Sequence, residues 1–239
     1  MTTILRPGQR ILNIPGIGIS ASRRAVQSAA AADWWLAGGA PTPIAVYQPK
    51  GAASLAASYV NLANPGTYDA APGTAPTLDA SGLVFNGTNQ YLTTGITPGT
   101  DQSWSMLARF SGASGNCNFI GTYRDDGGAA IFGLNSYSDG NAMRYYHNDV
   151  GSDALVVAPS LSSGVSAIAG RTAYRNGVAE SSLLLTDTLV SPLAVYLGAW
   201  SSNYGPFYAA VTLQAVAIWD TSTGHATWMP EVMAAVALI

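Results

Sequence analysis

Residues 103–110 read Ser-Trp-Ser-Met-Leu-Ala-Arg-Phe and alternate without a break. Trp104, Met106, Ala108 and Phe110 fall on one side, and Ser103, Ser105, Leu107 and Arg109 on the other. This is the period-two signature of a β-strand. Residues 207–220 repeat it, with Phe207, Ala209, Val211, Leu213, Ala215 and Ala217 on one face. Two segments carry Asn-Gly between short apolar runs: SGLVFNGTNQYLTTG over 81–95, with Asn86-Gly87, and TAYRNGVAE over 172–180, with Asn176-Gly177. Asn-Gly favours tight primed turns, so both segments predict β-hairpins, and Phe85 and Tyr91 are read as packing residues. Further strands fit near 117–123, 129–135, 142–147, 153–158, 164–169 and 193–199. About a dozen closely spaced strands predict an all-β, two-sheet antiparallel sandwich.

Two segments break the pattern. Residues 20–36 are Ala-rich, open at Ser20 or Ser22 and meet Gly38-Gly39, which predicts a helix ending in Trp34-Trp35. Near the other end, TWMPEVMAAVAL predicts a short helix with Pro230 near its first turn and His225 as a candidate cap. Residues 1–19, punctuated by Pro-Gly and Gly-x-Gly, read as an extended arm. Its many isoleucines and leucines need a surface to pack on. The expected organisation is an arm and helix over 1–39, serving anchoring and oligomerisation, and a sandwich over 40–239.

Charge sharpens this division. Arg6, Arg10, Arg23 and Arg24 precede the first acid, Asp33, while the rest of the chain carries about −7. With Trp34 and Trp35, these arginines are the candidate anchoring residues; a solvated terminus explains the arginines equally well. Four arginines do not make a nucleic-acid-binding surface. Cys117 is the only cysteine, so an intrachain disulfide and a CxxC metal site are both excluded. No stretch is long and apolar enough for a membrane helix, and MTTILRPGQRILNIPGIGIS lacks the apolar run of a secretory signal.

The order of motifs resembles the laminin-G-like, concanavalin A-like jelly roll. The matching pieces are Gly82-Leu83-Val84-Phe85-Asn86-Gly87 with Tyr91-Leu92, the strand at 103–110, Tyr174-Arg175-Asn176-Gly177, the run 193–199, and the strand 211–220 before a closing helix. The resemblance covers roughly residues 42–238. It departs from the pattern at the thin Gly164–Gly170 run before the Tyr-x-Asn-Gly turn, and the family's common calcium ligands are not identifiable. A second, looser resemblance joins the Trp-Trp-Leu-Ala-Gly-Gly segment and residues 60–70 to small structural proteins of tailed bacteriophages. It implies a virion location, docking of the arm on other virion proteins, and display of the sandwich as capsid decoration or tail-fibre component; the apolar arm with its Trp-Trp helix suggests self-association or docking.

The chemistry points toward binding. Only two glutamates are present, Glu180 and Glu231, and Asp125-Asp126 would face opposite sides of a strand. This is poor material for the paired carboxyls of a jelly-roll glycoside hydrolase. His147 and His225 are the only histidines, and no Gly-x-Ser-x-Gly elbow accompanies them. The expectation is therefore no enzyme. Asp125, Asp126 and Asp139, with Asn135 and Asn141 nearby, make oxygen-rich loops that could hold Ca²⁺, and ordinary turns account for them as well. Candidate glycan-binding residues are Trp200, Asn203, Tyr204 and Tyr208 around a Gly-Pro loop, Tyr123, Arg124 and Asp125, and Arg144 and Tyr146. They combine aromatic surface with polar groups. Core packing is the competing role for each aromatic. A free carbohydrate-binding module and a glycosidase are the alternatives to the virion protein.

Overall fold

Strand β6 (Ser105–Ser114) does what its alternation demands. Met106, Ala108 and Phe110 enter the main core, while Leu107 joins a second cluster on the opposite face. The computed structural model describes residues 33–98, 103–124, 130–137, 141–149, 155–182, 192–202 and 205–239. The predicted arm, most of the predicted 20–36 helix, Arg6, Arg10, Arg23, Arg24, Asp125, Asp126, Asp139, Asn203 and Tyr204 lie outside these residues.

Two sheets stack face to face. Among the described residues, eight strands form one sheet in the order β13 (Val178–Ser182), β12 (Thr172–Arg175), β11 (Gly164–Ala169), β6, β17 (Ala210–Trp219), β4 (Gly82–Asn86) and β3 (Thr77–Asp79), with β1 (Ala45–Tyr47) paired to β17. Nine form the other, in the order β10 (Leu155–Val157), β9 (Ala142–Asp149), β8 (Ala130–Tyr137), β7 (Asn116–Arg124), β14 (Tyr196–Leu197), β5 (Tyr91–Thr93) and β2 (Ala71–Thr74). In this sheet β15 (Ala199–Ser202) runs parallel to β7 and pairs with β16 (Phe207–Tyr208). The architecture is the antiparallel jelly-roll sandwich, with that one parallel pair added. Phe110 and Phe119 stack across the interior at 4.2 Å between ring centroids, joining the two sheets.

The second cluster covers the outer face of the eight-stranded sheet. Leu107, Ala167, Ala217 and Trp219 meet helix α1 (His225–Val236) through Trp228, Met229, Val232 and Met233. Trp34 and Trp35 belong to the same cluster, in a 3₁₀ turn over Trp34–Gly39. The Trp34 indole nitrogen donates to Gln48 Oε1 at 2.9 Å. Helix α1 begins earlier than its sequence indicated: Gly224 is the N-cap and Pro230 lies inside, beyond the first turn. His225 is the first helical residue and not a cap; its Nδ1 pairs with the Tyr174 hydroxyl at 2.7 Å. At the end of the helix, Arg109 Nη1 donates to the Val236 carbonyl at 2.8 Å and also to that of Ile239, which Lys50 Nζ reaches at 2.8 Å.

Two sequence expectations change. Asn86-Gly87 does not close a hairpin: β4 pairs with β3 and β17 in one sheet, and β5 pairs with β2 and β14 in the other. The segment is a crossover between sheets. Asn86 Oδ1 takes the backbone N–H of Thr88 and Asn89, and the Asn86 N–H donates to Gln90 Oε1, so side chains fold the loop that cross-strand pairing would otherwise have closed. The true hairpin here is β3–β4, where Asp79 Oδ1 accepts from Ser81 N and Gly82 N. Likewise 207–220 is not one alternating strand. Residues 207–208 belong to the nine-stranded sheet, and bulges in β17 swap its faces: Val211 and Leu213 point into the core, then Val216 and Ile218 do. Ala215, Ala217 and Trp219 face the helix. The Asn176-Gly177 hairpin forms as read, both residues having positive φ, 49° and 87°.

Candidate functional site

Among the described residues no helix lies over the outer face of the nine-stranded sheet, and its middle strands bring polar and aromatic side chains together there. Three cross-strand rows run over β7, β8 and β9. The first is polar: Asn118 lies opposite Asn135, and Asn135 opposite Arg144. The second is bare: Gly121 lies opposite Gly133, and Gly133 opposite Tyr146. In the third, Tyr123 lies opposite Ile131. The residues that face outward alternate with Phe132, Leu134, Met143 and Tyr145, which enter the core.

The glycine row is a landing place for one indole. Trp200, on β15, lies over Gly121 and Gly133, so close that a Cβ on Gly133 would sit 2.7 Å from Trp200 Nε1 and one on Gly121 2.8 Å from it. Only a residue without a side chain permits this approach. The indole N–H donates to the Ile120 carbonyl at 2.9 Å. Tyr146 meets the ring edge-on at 5.1 Å, and Tyr123 meets Phe207 in the same manner at 5.6 Å. Trp200 is only 6% exposed and Tyr146 7%, so they wall the site, whereas Phe207, 43% exposed, offers a ring for a ligand to lie against.

The polar row is an amide cluster. Asn135 Nδ2 donates to Asn116 Oδ1 at 2.9 Å and also to Asn118 Oδ1. Asn135 is 3% exposed, and its own Oδ1 has no hydrogen-bond partner among the described residues. Amides, Arg144 and the aromatic wall together line an open cavity of about 230 Å³.

Four of the candidate residues from sequence therefore converge: Tyr123, Arg144, Tyr146 and Trp200. Arg124 is the next residue along β7 and does not line the cavity. Tyr208 belongs to a separate aromatic group, 6.2 Å from Tyr91, which stacks on Tyr196 at 4.6 Å. Asn141, read as a loop oxygen donor, has φ 45° and its Oδ1 accepts from Ser160 N and Oγ, a turn arrangement. Among the described residues, no group of three or more His, Cys, Asp or Glu side chains comes together to hold a metal ion. Sequence reading missed Asn116, Asn118 and Phe207 and took Asn135 for a loop residue. The available signals were Asn-x-Asn on one strand, which puts both amides on one face, and two glycines inside strands.

Neither the scan of protein-family models nor the search of curated proteins finds a match for this chain. Solved structures do match. Trypanosoma rangeli sialidase in complex with sialic acid aligns at TM-score 0.57 and 16% identity, over 93% of this chain and 39% of that one. A mutant of the same sialidase displaying trans-sialidase activity aligns at TM-score 0.56 and 16% identity, over 82% of this chain and 33% of that one. Domain 4 of an extracellular arabinanase from Geobacillus stearothermophilus, in complex with arabinotriose, aligns at TM-score 0.49 and 15% identity, over 82% of this chain and 98% of that domain. The chain thus spans between a third and two fifths of the length of the two sialidases. At such identity the likeness to the sialidases shows a shared β-sandwich fold. No helix among the described residues is long and apolar enough to cross a membrane.

Proposed function

We propose that this chain is a non-enzymatic, glycan-binding β-sandwich. The observation that supports this reading is the cavity on the outer face of the nine-stranded sheet, where the amide cluster and Arg144 meet a wall of aromatic rings. A sugar ring carries the complementary chemistry: C–H faces that pack on aromatics and polar substituents that exchange hydrogen bonds with amides and guanidinium. Neither glutamate lines this cavity. Glu180, on β13, is ion-paired to Arg175 at 2.7 Å, and Glu231 lies in α1. This favours binding over hydrolysis by a carboxyl pair. The reading requires no cofactor, so chelating calcium leaves binding unchanged.

The setting proposed with it is a tailed-phage virion, on a head or a tail fibre, with residues 1–39 as the tether and copies of the chain associating there. Its support is the resemblance of residues 34–39 and 60–70 to phage structural proteins. A glycan array probed with the intact protein tests the binding. We expect signal from the wild type and a loss of about tenfold for Phe207→Ala, whose exposed ring can be removed without opening the core. Silence of the intact protein on the array would sink the reading. For the virion setting, a chain lacking residues 1–33 should fold and fail to join particles. Incorporation of that chain would refute the tether.

A further inference from the structure

The amide cluster dictates what kind of substituent the cavity takes. Asn135 has one amide nitrogen with two hydrogens and one oxygen. Both hydrogens are directed within the cluster, to Asn116 Oδ1 and Asn118 Oδ1. What remains for a ligand is the oxygen, which is buried and without a partner among the described residues. A hydroxyl that donated to this oxygen would receive nothing back from the same amide. Beside an atom already shut off from solvent its lone pairs would forgo that return bond, which costs free energy. A group that donates and does not accept at that atom is fully matched. Two such groups are common on sugars, a secondary amide N–H and an ammonium. Arg144 stands directly opposite Asn135 on the neighbouring strand, and its permanent positive charge disfavours an ammonium there.

The surroundings make the same selection. One residue pair along from Asn135 the surface turns apolar, with Tyr146 and the edge of Trp200 above the glycine row and Ile131 beyond. An N–H flanked by a methyl group fits this juxtaposition of a buried acceptor and an aromatic wall. The cavity, at about 230 Å³, is also smaller than the roughly 300–1,000 Å³ of pockets that enclose drug-sized ligands, which suits one ring at a chain end.

We propose that the cavity selects a terminal N-acylated amino sugar, whose acylamino N–H donates to Asn135 Oδ1 and whose methyl packs against Tyr146 and Trp200. The proposal rests on the glycan-binding reading above and specifies its ligand. The carbonyl oxygen of the acylamino group points away from Asn135, toward the side on which Arg144 stands.

The test compares matched sugars on the full chain by titration calorimetry, or by ligand-observed NMR where affinity is weak. The probes are the methyl glycosides of N-acetylglucosamine and glucose, and of N-acetylgalactosamine and galactose. In at least one pair the acetamido sugar should bind about tenfold tighter than its hydroxyl counterpart, the consequence of one satisfied against one unsatisfied buried partner. Asn135→Ala should erase that ratio while leaving the weaker hydroxyl-sugar binding in place. Because this variant also breaks the amide cluster, Asn116→Ala serves as a second variant. It frees one Asn135 amide hydrogen to return a bond to a hydroxyl, so the ratio should fall because the hydroxyl sugar binds tighter, whereas in Asn135→Ala it falls because the acetamido sugar binds more weakly. Equal binding of acetamido and hydroxyl sugars by a protein that does bind glycans would overturn this proposal and spare the general reading. An acetamido preference that persists undiminished in Asn135→Ala would also overturn it. Binding of no sugar at all would remove both.

Discussion

Gly133 has an ordinary backbone conformation, so alanine is forbidden there by its neighbour and not by strain. An added Cβ would lie 2.7 Å from Trp200 Nε1 and 2.8 Å from Cε2. Carbon contacts are comfortable at about 3.5–4.0 Å, so the indole must lift by roughly 1 Å. Its bond to the Ile120 carbonyl, now 2.9 Å, then stretches past any useful length. Overpacking costs about 1–3 kcal/mol and the lost hydrogen bond about 1 kcal/mol, while replacing glycine returns about 0.4–1 kcal/mol through the unfolded chain. The net expectation for Gly133→Ala is a loss of about 2 kcal/mol, or roughly 4–8 °C in Tm for a chain of this size. The decisive assay is a double-mutant cycle by urea denaturation of wild type, Gly133→Ala, Trp200→Ala and the double variant. Trp200→Ala alone should cost about 3 kcal/mol, because the indole is almost fully buried. With the indole gone only the Ile120 carbonyl, 3.0 Å from the added Cβ, still crowds the site, so Gly133→Ala should cost about 0.5 kcal/mol, giving a coupling near 1.5 kcal/mol. If Gly133→Ala costs the same in both backgrounds, the indole does not rest on that glycine and the site's geometry is wrong.

Three further outcomes follow from other parts of the molecule. Arg109→Met should lower stability by about 1.5–3 kcal/mol, since the Val236 carbonyl that ends α1 loses its charged donor and the Ile239 carbonyl keeps only Lys50; an unchanged urea midpoint would contradict this. Burial pushes the Cys117 thiol up to about 12, so the native protein should resist a thiol reagent at pH 8 and react only once denaturant is added. Desolvation holds His225 below its usual pKa, so the unfolded chain takes up its proton first as pH falls. The contribution of His225 is therefore complete above about pH 6.5 and declines below it. Urea midpoints at pH 7.5 and 5.0 should differ less in His225→Gln than in the wild type.

The sandwich was legible because period-two alternation is strong in strands with one face in a core, as at Ser105–Ser114. What misled was local chemistry. Asn-Gly specifies a tight bend and says nothing about whether the flanking strands pair, so Asn86-Gly87 and Asn176-Gly177 look alike in sequence yet serve a crossover and a hairpin. Bulges in β17 were invisible for a similar reason, since the alternation continues on paper while the backbone slips a residue. At the site, the aromatics and Arg144 stood out by residue type. The amide cluster did not, because Asn116 and Asn135 become neighbours only through the register of β7 with β8.

The sandwich has one dressed side and one bare side. Helix α1 and the Trp34–Gly39 turn clothe the eight-stranded sheet, and the polypeptide enters the body there, through Trp34 and Trp35. The cavity opens from the opposite sheet, with a full aromatic and aliphatic core in between. On the proposed reading, substitutions around the cavity leave the buried cluster at Trp34 and Trp35 untouched, because a full core separates the two, so binding specificity can drift at no expense to that packing.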